Sequence, residues 1–316
     1  MLAGETTHPA APDSPVMAAK VPHISVCICT FKRTELLKRL LERLATQETA
    51  GLFTFSAVVA DNDSAGTAQP IVAAFSADNS LQVIYCLEPQ QNIALARNAA
   101  LRHAKGDFIA FIDDDEFPAK DWLRNLYQTC VKHDVAGVLG PVKPHFENDP
   151  PRWVDKGKFF ERPTYGSGHE MDWTESRSGN VLFRKGILTN SEIPFDSEFD
   201  TAGEDVDFFR RMTERGHRFI WCNEAVVYEE VPSSRCSRSY LLKRALLRGS
   251  NFPKHSAHRL ANAARSLVAV PCYTLALPVL ALFGEHLFLR YLIKLFDHSS
   301  RLLAYLGLRL VTQRET

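Results

Sequence analysis

Net charge is absent from this sequence: 37 Lys+Arg balance 37 Asp+Glu over 316 residues. That balance does not call for nucleic acid or an acidic polymer as a partner. Paired cysteines are absent as well. Cys27, Cys29, Cys86, Cys130, Cys222, Cys236 and Cys272 are odd in number and scattered, with no C-x-x-C spacing; this argues against a zinc or dithiol site and fits a reducing compartment. The N-terminus lacks the basic start and apolar run of a secretory signal, so residues 1–22, rich in Ala and Pro, read as a disordered tail. Between Val231 and Gly284 there is no acidic residue, while Arg235, Arg238, Lys243, Arg244, Arg248, Lys254, Arg259 and Arg265 form a basic tract.

Apolar residues are plentiful, at 45% of the chain, enough for a substantial core. The run Ile24 to Ile28 is short, rich in β-branched residues and stopped by a polar turn after Thr30, which predicts a buried strand. Leucines at 36, 37, 40, 41 and 44 then recur at helical spacing and predict a helix over 34–44, with Thr34 as N-cap. Further strands are predicted over 53–60 and 81–87, an alanine-rich helix over 93–104 and a strand over 108–112. The order strand, helix, strand, strand, helix, strand predicts an α/β domain with a mostly parallel sheet. Ligands bind such sheets beyond the carboxyl ends of the strands. Thr30, Asp61 and the cluster Asp113-Asp114-Asp115 each follow a predicted strand directly, so three distant stretches could meet at one cleft. A helix over 122–131 and a short strand over 135–139 precede a stretch to Trp173 rich in Pro, Gly and aromatic residues, a composition common in binding loops.

Three consecutive carboxylates repel one another, so the Asp113 to Asp115 turn is either a solvated surface turn or one neutralised by a cation. Oxygen ligands suit Mg²⁺ or Mn²⁺, whose shells water and substrate phosphates commonly complete. Four blocks in order give the turn a context: Ser25 to Arg33, Val58 to Ser64, Ala96-Arg97-Asn98 with Gly106 to Asp115, and Gly203 to Arg211. In these blocks the chain resembles a family 2 glycosyltransferase of the GT-A type, like those of bacterial cell-surface polysaccharides, over roughly residues 23–230.

The resemblance implies an inverting transferase acting on a nucleotide-sugar donor. Thr30 and Asp61 match nucleotide-contacting positions, with Asp61 accepting from the base, and Arg97 matches a basic position near the pyrophosphate or a carboxylate of the site. Asp113 and Asp115 match the outer acids of the D-x-D motif: Asp115 as metal ligand, Asp113 and Asp114 toward the ribose, the sugar or metal-bound water. Asp205 matches the general base that deprotonates the acceptor hydroxyl, with Glu204 positioning that hydroxyl and Asp207 as the lesser alternative base. Where the family often carries a metal-binding His, this chain reads Ala225-Val-Val-Tyr-Glu-Glu230, so Glu229 takes that place or the metal has one protein ligand fewer. The glycine common before Ala-Arg-Asn is also missing from Asn92-Ile-Ala-Leu-Ala-Arg-Asn98. A metal-dependent nucleotidyltransferase is the alternative enzyme, but it should show a glycine-rich loop after the first strand, and Thr30-Phe-Lys-Arg33 has no glycine. An inactive sugar-nucleotide-binding scaffold is the non-enzymatic alternative, against which the intact Asp115 and Asp205 argue.

The C-terminal third reads as a separate helical region, 233–316, after a catalytic domain over 23–232. Ser266 to Phe283 is an uncharged, mostly apolar run interrupted by Pro271 and Pro278, which suits a spanning, re-entrant or interfacial segment. Leu287 to Leu308 reads as an amphipathic helix. With the basic tract before it, this pattern predicts association with the cytoplasmic face of the inner membrane, and a lipid-linked or other saccharide acceptor. Arg235, Arg238 and Arg244 are alternatively candidates to hold a diphosphate.

Overall fold

Strand β1 (His23–Thr30) carries buried residues on both of its faces, the burial expected of a strand covered on each side by helices. It is followed by α1 (Thr34–Ala45), β2 (Thr54–Asp61), α2 (Gln69–Asp78), β3 (Val83–Leu87), α3 (Ile93–His103) and β4 (Phe108–Ile112). The computed structural model describes residues 20–189, 192–199, 203–255 and 259–308. Most of the expected N-terminal tail therefore lies outside the described residues.

The first strands match expectation, and α2 adds a helix that the sequence reading lacked. Its start signal is Pro70 in the first turn, and it seats Val72 and Phe75 in the core. In α1 the leucines at 37, 40, 41 and 44 are buried, but Thr34 makes no capping bond and Arg33 holds the cap position. The substituted stretch before Arg97 keeps a well-formed helix start: Asn92 caps α3, its side chain accepting from the amides of Ala94 and Leu95.

After β4 come β5 (Glu116–Pro118), α4 (Trp122–Lys132), β6 (Gly137–Leu139), β7 (Val142–His145), α5 (Arg152–Gly157), β8 (Asn180–Arg184), α6 (Glu204–Glu214), β9 (Phe219–Trp221) and β10 (Val227–Glu230). The main sheet has the order β3-β2-β1-β4-β8-β6-β9, in which only β8 runs against its neighbours. Strand order reverses beside β1, which lies between β2 and β4, so a cleft is expected at the carboxyl ends of that pair. A second, three-stranded sheet, β5-β10-β7, stands beside it.

Asn180, at the first position of β8, ties the two sheets together. Its carbonyl accepts from the Trp122 indole at 2.8 Å, and its amide donates to the carbonyls of Pro141 at 3.1 Å and Ala225 at 2.8 Å. All of these groups are buried, so Asn180→Ala strands an indole N–H and two carbonyls. We expect it to lower unfolding stability by ~3 kcal/mol, at about 1–3 kcal/mol per orphaned group with partial relaxation. A urea midpoint unchanged from wild type would overturn this reading.

The C-terminal helices are α7 (Arg238–His255), α8 (Arg259–Leu282) and α9 (Glu285–Tyr305). Helix α9 packs against α7, α8 and α5, and Arg290 donates to the Gly157 carbonyl at 2.8 Å. Helix α8 runs unbroken through Pro271 and Pro278. Among the described residues it is the one helix long and apolar enough to cross a membrane, over Leu260–Leu282 with mean hydropathy 1.6, and almost none of that stretch is buried. The basic tract is not free of acids in space. Arg238 pairs with Glu285 and Arg248 with Asp297, because α9 returns its carboxylates to α7.

Candidate active site

Parallel pairing brings the predicted strand-end residues together. Thr30 stands opposite Asp61 in the β1–β2 register, and Cys27 opposite Phe111 in β1–β4, so the acidic turn leaves the sheet beside Thr30. The Thr30 hydroxyl donates to Asp114 Oδ2 at 2.9 Å, and Arg33 Nη1 donates to Asp114 Oδ1 at 2.9 Å and Asp115 Oδ2 at 3.1 Å. Burial pushes the Asp114 carboxyl up to about 6, against the opposing pull of Arg33. Asp61 is fully buried and already accepts from the amides of Asp63 at 3.1 Å and Ala68 at 2.8 Å and from the Tyr85 hydroxyl at 3.2 Å. Of a carboxylate's roughly four acceptor directions, about one remains for an outside donor.

Glu229 reaches the turn through the small sheet. It pairs in register with Glu116 of β5, and the next amide, Glu230 N–H, donates to the Asp115 carbonyl at 3.0 Å. Its carboxylate is held by Arg162 and lies 3.5 Å from Arg235 Nη1, while Arg235 Nη2 lies 3.6 Å from Asp115. The mutual repulsion of the turn is thus met by Arg33, Arg162 and Arg235. Sequence reasoning placed none of these three against the turn. Arg162 sits in the irregular stretch whose composition suggested a binding loop, and that was its only signal.

Glu116 also escaped the sequence reading. Its Oε2 accepts from the Asp113 amide at 3.2 Å, its Oε1 is buried without a partner, and burial pushes the carboxyl well above its ordinary range. A Cβ on Gly179 would come within 3.0 Å of both Asp113 Oδ2 and Glu116 Oε1. Glycine there leaves space over the two carboxylates.

The second acidic block opens α6 from Gly203, whose φ of 107° lies in the left-handed region that glycine alone adopts without strain. Glu204 is buried and pairs with Arg97 of α3, and Arg97 Nη2 stands 3.9 Å from Asp113 Oδ1. One buried guanidinium therefore joins the two acidic blocks. Burial pushes the Glu204 carboxyl upward, opposed by Arg97. Asp205 is half-buried and accepts from the Val206 amide at 2.8 Å. Asp207 instead pairs with Arg210 and Arg211 of its own helix, each at 2.8 Å, which makes it the weaker candidate base. Arg97→Met leaves Glu204 buried and unpaired and should cost about 3 kcal/mol of stability. Removing both charges in Arg97→Met/Glu204→Gln should recover part of that loss in urea melts.

The fold is that of solved glycosyltransferases of the GT-A type. The mannosyltransferase PcManGT of Pyrobaculum calidifontis, solved with GDP-Man and Mn²⁺, superposes with TM-score 0.60 at 20% identity over 92% of this chain and 87% of that one. TarS of S. aureus with UDP-GlcNAc superposes with TM-score 0.51 at 21% identity over 71% of this chain and 65% of that one. The chain belongs to glycosyl transferase family 2, whose description matches residues 25–188. It is accordingly a glycosyltransferase. It is 34% identical over 242 residues to the succinoglycan biosynthesis protein ExoM of Rhizobium meliloti (strain 1021), covering 75% of this chain and 76% of ExoM. It is also 27% identical over 248 residues to the hyaluronan synthase of Pasteurella multocida, covering 67% of this chain but only 25% of that longer protein.

Proposed function

We propose that this protein transfers a sugar, with inversion, from a nucleotide-diphosphate sugar to a hydroxyl of a lipid-linked saccharide during cell-surface polysaccharide or lipopolysaccharide assembly. The observation that carries the proposal is the Arg97 bridge, which sets the Glu204-Asp205 pair against the Asp113 to Asp115 turn. Similarity to ExoM supports a polysaccharide setting, and TarS bound to UDP-GlcNAc supports a UDP-sugar as donor. The exposed apolar α8 supports work at a membrane surface, on its cytoplasmic face, where nucleotide-sugars are found.

In this reading Thr30 and the one open acceptor direction of Asp61 address the nucleotide, and Asp114 is oriented by Thr30 and Arg33 toward the ribose. The residues fit a divalent ion. Carboxylate oxygens are the donor type that hard Mg²⁺ and Mn²⁺ prefer, and the Arg235 contacts with Asp115 and Glu229 are long enough to yield to one. Asp115 and Asp113 would hold it, with Glu229 as a third ligand once released from Arg162. Among the described residues no three His, Cys, Asp or Glu side chains stand together as a cation cluster, so Asp113, Asp115 and Glu229 would have to draw together around the ion. When bound, the ion supplies neutralising charge for the departing diphosphate. Asp205 removes the proton from the acceptor hydroxyl, and the resulting oxygen displaces the nucleotide diphosphate from the opposite face of the anomeric carbon. An α-linked donor then gives a β-glycoside.

A panel of nucleotide-sugars, each offered with a saccharide acceptor and Mg²⁺ or Mn²⁺, should yield release of the nucleoside diphosphate, UDP, from one or a few UDP-sugars. Release from none of them, or release undiminished by chelation, would overturn the proposal.

A further inference from the structure

A cavity of about 430 Å³ opens beside Asp115, between the start of α1 and the start of α7. Thr30, Asp61, Asp113 and Glu204 are not among its lining residues, so it is not the space assigned above to nucleoside and transferred sugar. Its polar wall carries the guanidinium groups of Arg33 and Arg235, the hydroxyls of Ser234, Ser237, Ser239 and Tyr240, and two carboxylates, Asp115 and Glu230, which are paired with Arg33 and Arg39 respectively. Two guanidinium groups among hydroxyls form a donor set for phosphoryl oxygens. Arg33 is engaged with the acidic turn, but the contacts of Arg235, at 3.5 and 3.6 Å, lie at or beyond hydrogen-bonding range and leave most of its N–H groups available.

The cavity's edge is also where exposed hydrocarbon begins. Arg238, between Ser237 and Ser239, donates from Nε to Glu285 at 2.6 Å, which ties the rim to the turn between α8 and α9. Leu282 and Phe283, at that turn, are 85% and 68% exposed. From them the exposed residues Val279, Leu275 and Val268 continue along α8 at spacings of three, four and seven, a single helical stripe. A cavity with two guanidinium groups in its wall thus lies next to an apolar track.

We infer that this cavity binds the phosphate of a lipid-linked acceptor, whose hydrocarbon chain leaves along α8 from Phe283 toward Val268. The inference rests on the sugar-transfer reading and deepens it by assigning the acceptor's phosphate and hydrocarbon chain to a particular cavity and helix face. The donor's own diphosphate offers the same chemistry, and the test separates the two sources.

The full chain is titrated by calorimetry with geranyl phosphate and with inorganic phosphate, without divalent ions, and with UDP in the presence of Mn²⁺. Geranyl phosphate should bind at least about tenfold tighter than inorganic phosphate, because its chain adds apolar burial to the same anionic contact. Arg235→Ala should weaken geranyl phosphate at least about tenfold and UDP less than about threefold. The surface variant Leu282→Asp/Phe283→Asp, which alters no core contact, should erase the preference for geranyl phosphate over inorganic phosphate. Equal losses for UDP and geranyl phosphate in Arg235→Ala would return the cavity to the donor. No preference for geranyl phosphate in the wild type, or a preference untouched at Leu282 and Phe283, would overturn the inference. Nucleoside-diphosphate release from nucleotide-sugars, measured on the same preparation, reports separately on the sugar-transfer reading.

Discussion

Asp205→Asn should reduce sugar transfer by at least about a hundredfold in kcat, the lower end of what a general base contributes, while donor affinity stays within a few-fold. The side chain keeps its size and its acceptor for the Val206 amide, so the start of α6 and the Arg97–Glu204 pair should survive the change. The lost property is a basic oxygen for the acceptor's proton. Asp207→Asn is the control. Its carboxylate is engaged with Arg210 and Arg211, so its loss should show mainly as lower stability, with kcat changed less than tenfold. Steady-state kinetics beside a direct measurement of donor binding separates these outcomes. If Asp205→Asn loses donor binding and retains turnover, Asp205 is not the base; if Asp207→Asn is the variant that loses turnover, the two roles are exchanged.

Asp115→Ala should be nearly as damaging for a different reason. It removes the carboxylate to which the divalent ion and the leaving diphosphate are assigned, and the cost should fall on kcat/KM by about three orders of magnitude, several kcal/mol of charge stabilisation. Chelation of the wild type should mimic the variant, and added Mn²⁺ should restore the wild type alone. The fold should tolerate the change, because Arg33 retains Asp114 as a partner at 2.9 Å. Normal metal-stimulated turnover by Asp115→Ala would move the ligand role elsewhere in the turn, with Asp113 next in line.

Much of the first half of the molecule was legible because its signals are local. The run Ile24 to Ile28, the leucines of α1 and the buried strand Phe108 to Ile112 carry their periodicities in a few residues each, and the strand-end acids stand directly after them. Helix α2 was missed because its apolar residues, Ile71 to Phe75, form one continuous run with no helical spacing and so give only a weak face. The stretch from Glu147 to Arg177 showed no periodicity, so nothing in it announced that Arg162 would come to Glu229. The C-terminal prolines left a continuous helix and a re-entrant segment both open, and α8 runs through both of them.

What the sequence by itself determined is the chemistry available: an α/β sheet with polar residues at its strand ends, an acidic turn, a second acidic pair opening a helix, and an apolar C-terminal run. These follow from composition and spacing, which act over a few residues. Only the tertiary structure decided how the charges are met. Arg33, Arg97, Arg162 and Arg235 come from four separate segments, and each finds its carboxylate across 67 or more residues of chain or across the short turn after β10. Ion pairing between distant segments leaves no period in the sequence. A burial pattern can predict that an acid will need a partner, but packing selects which arginine provides it.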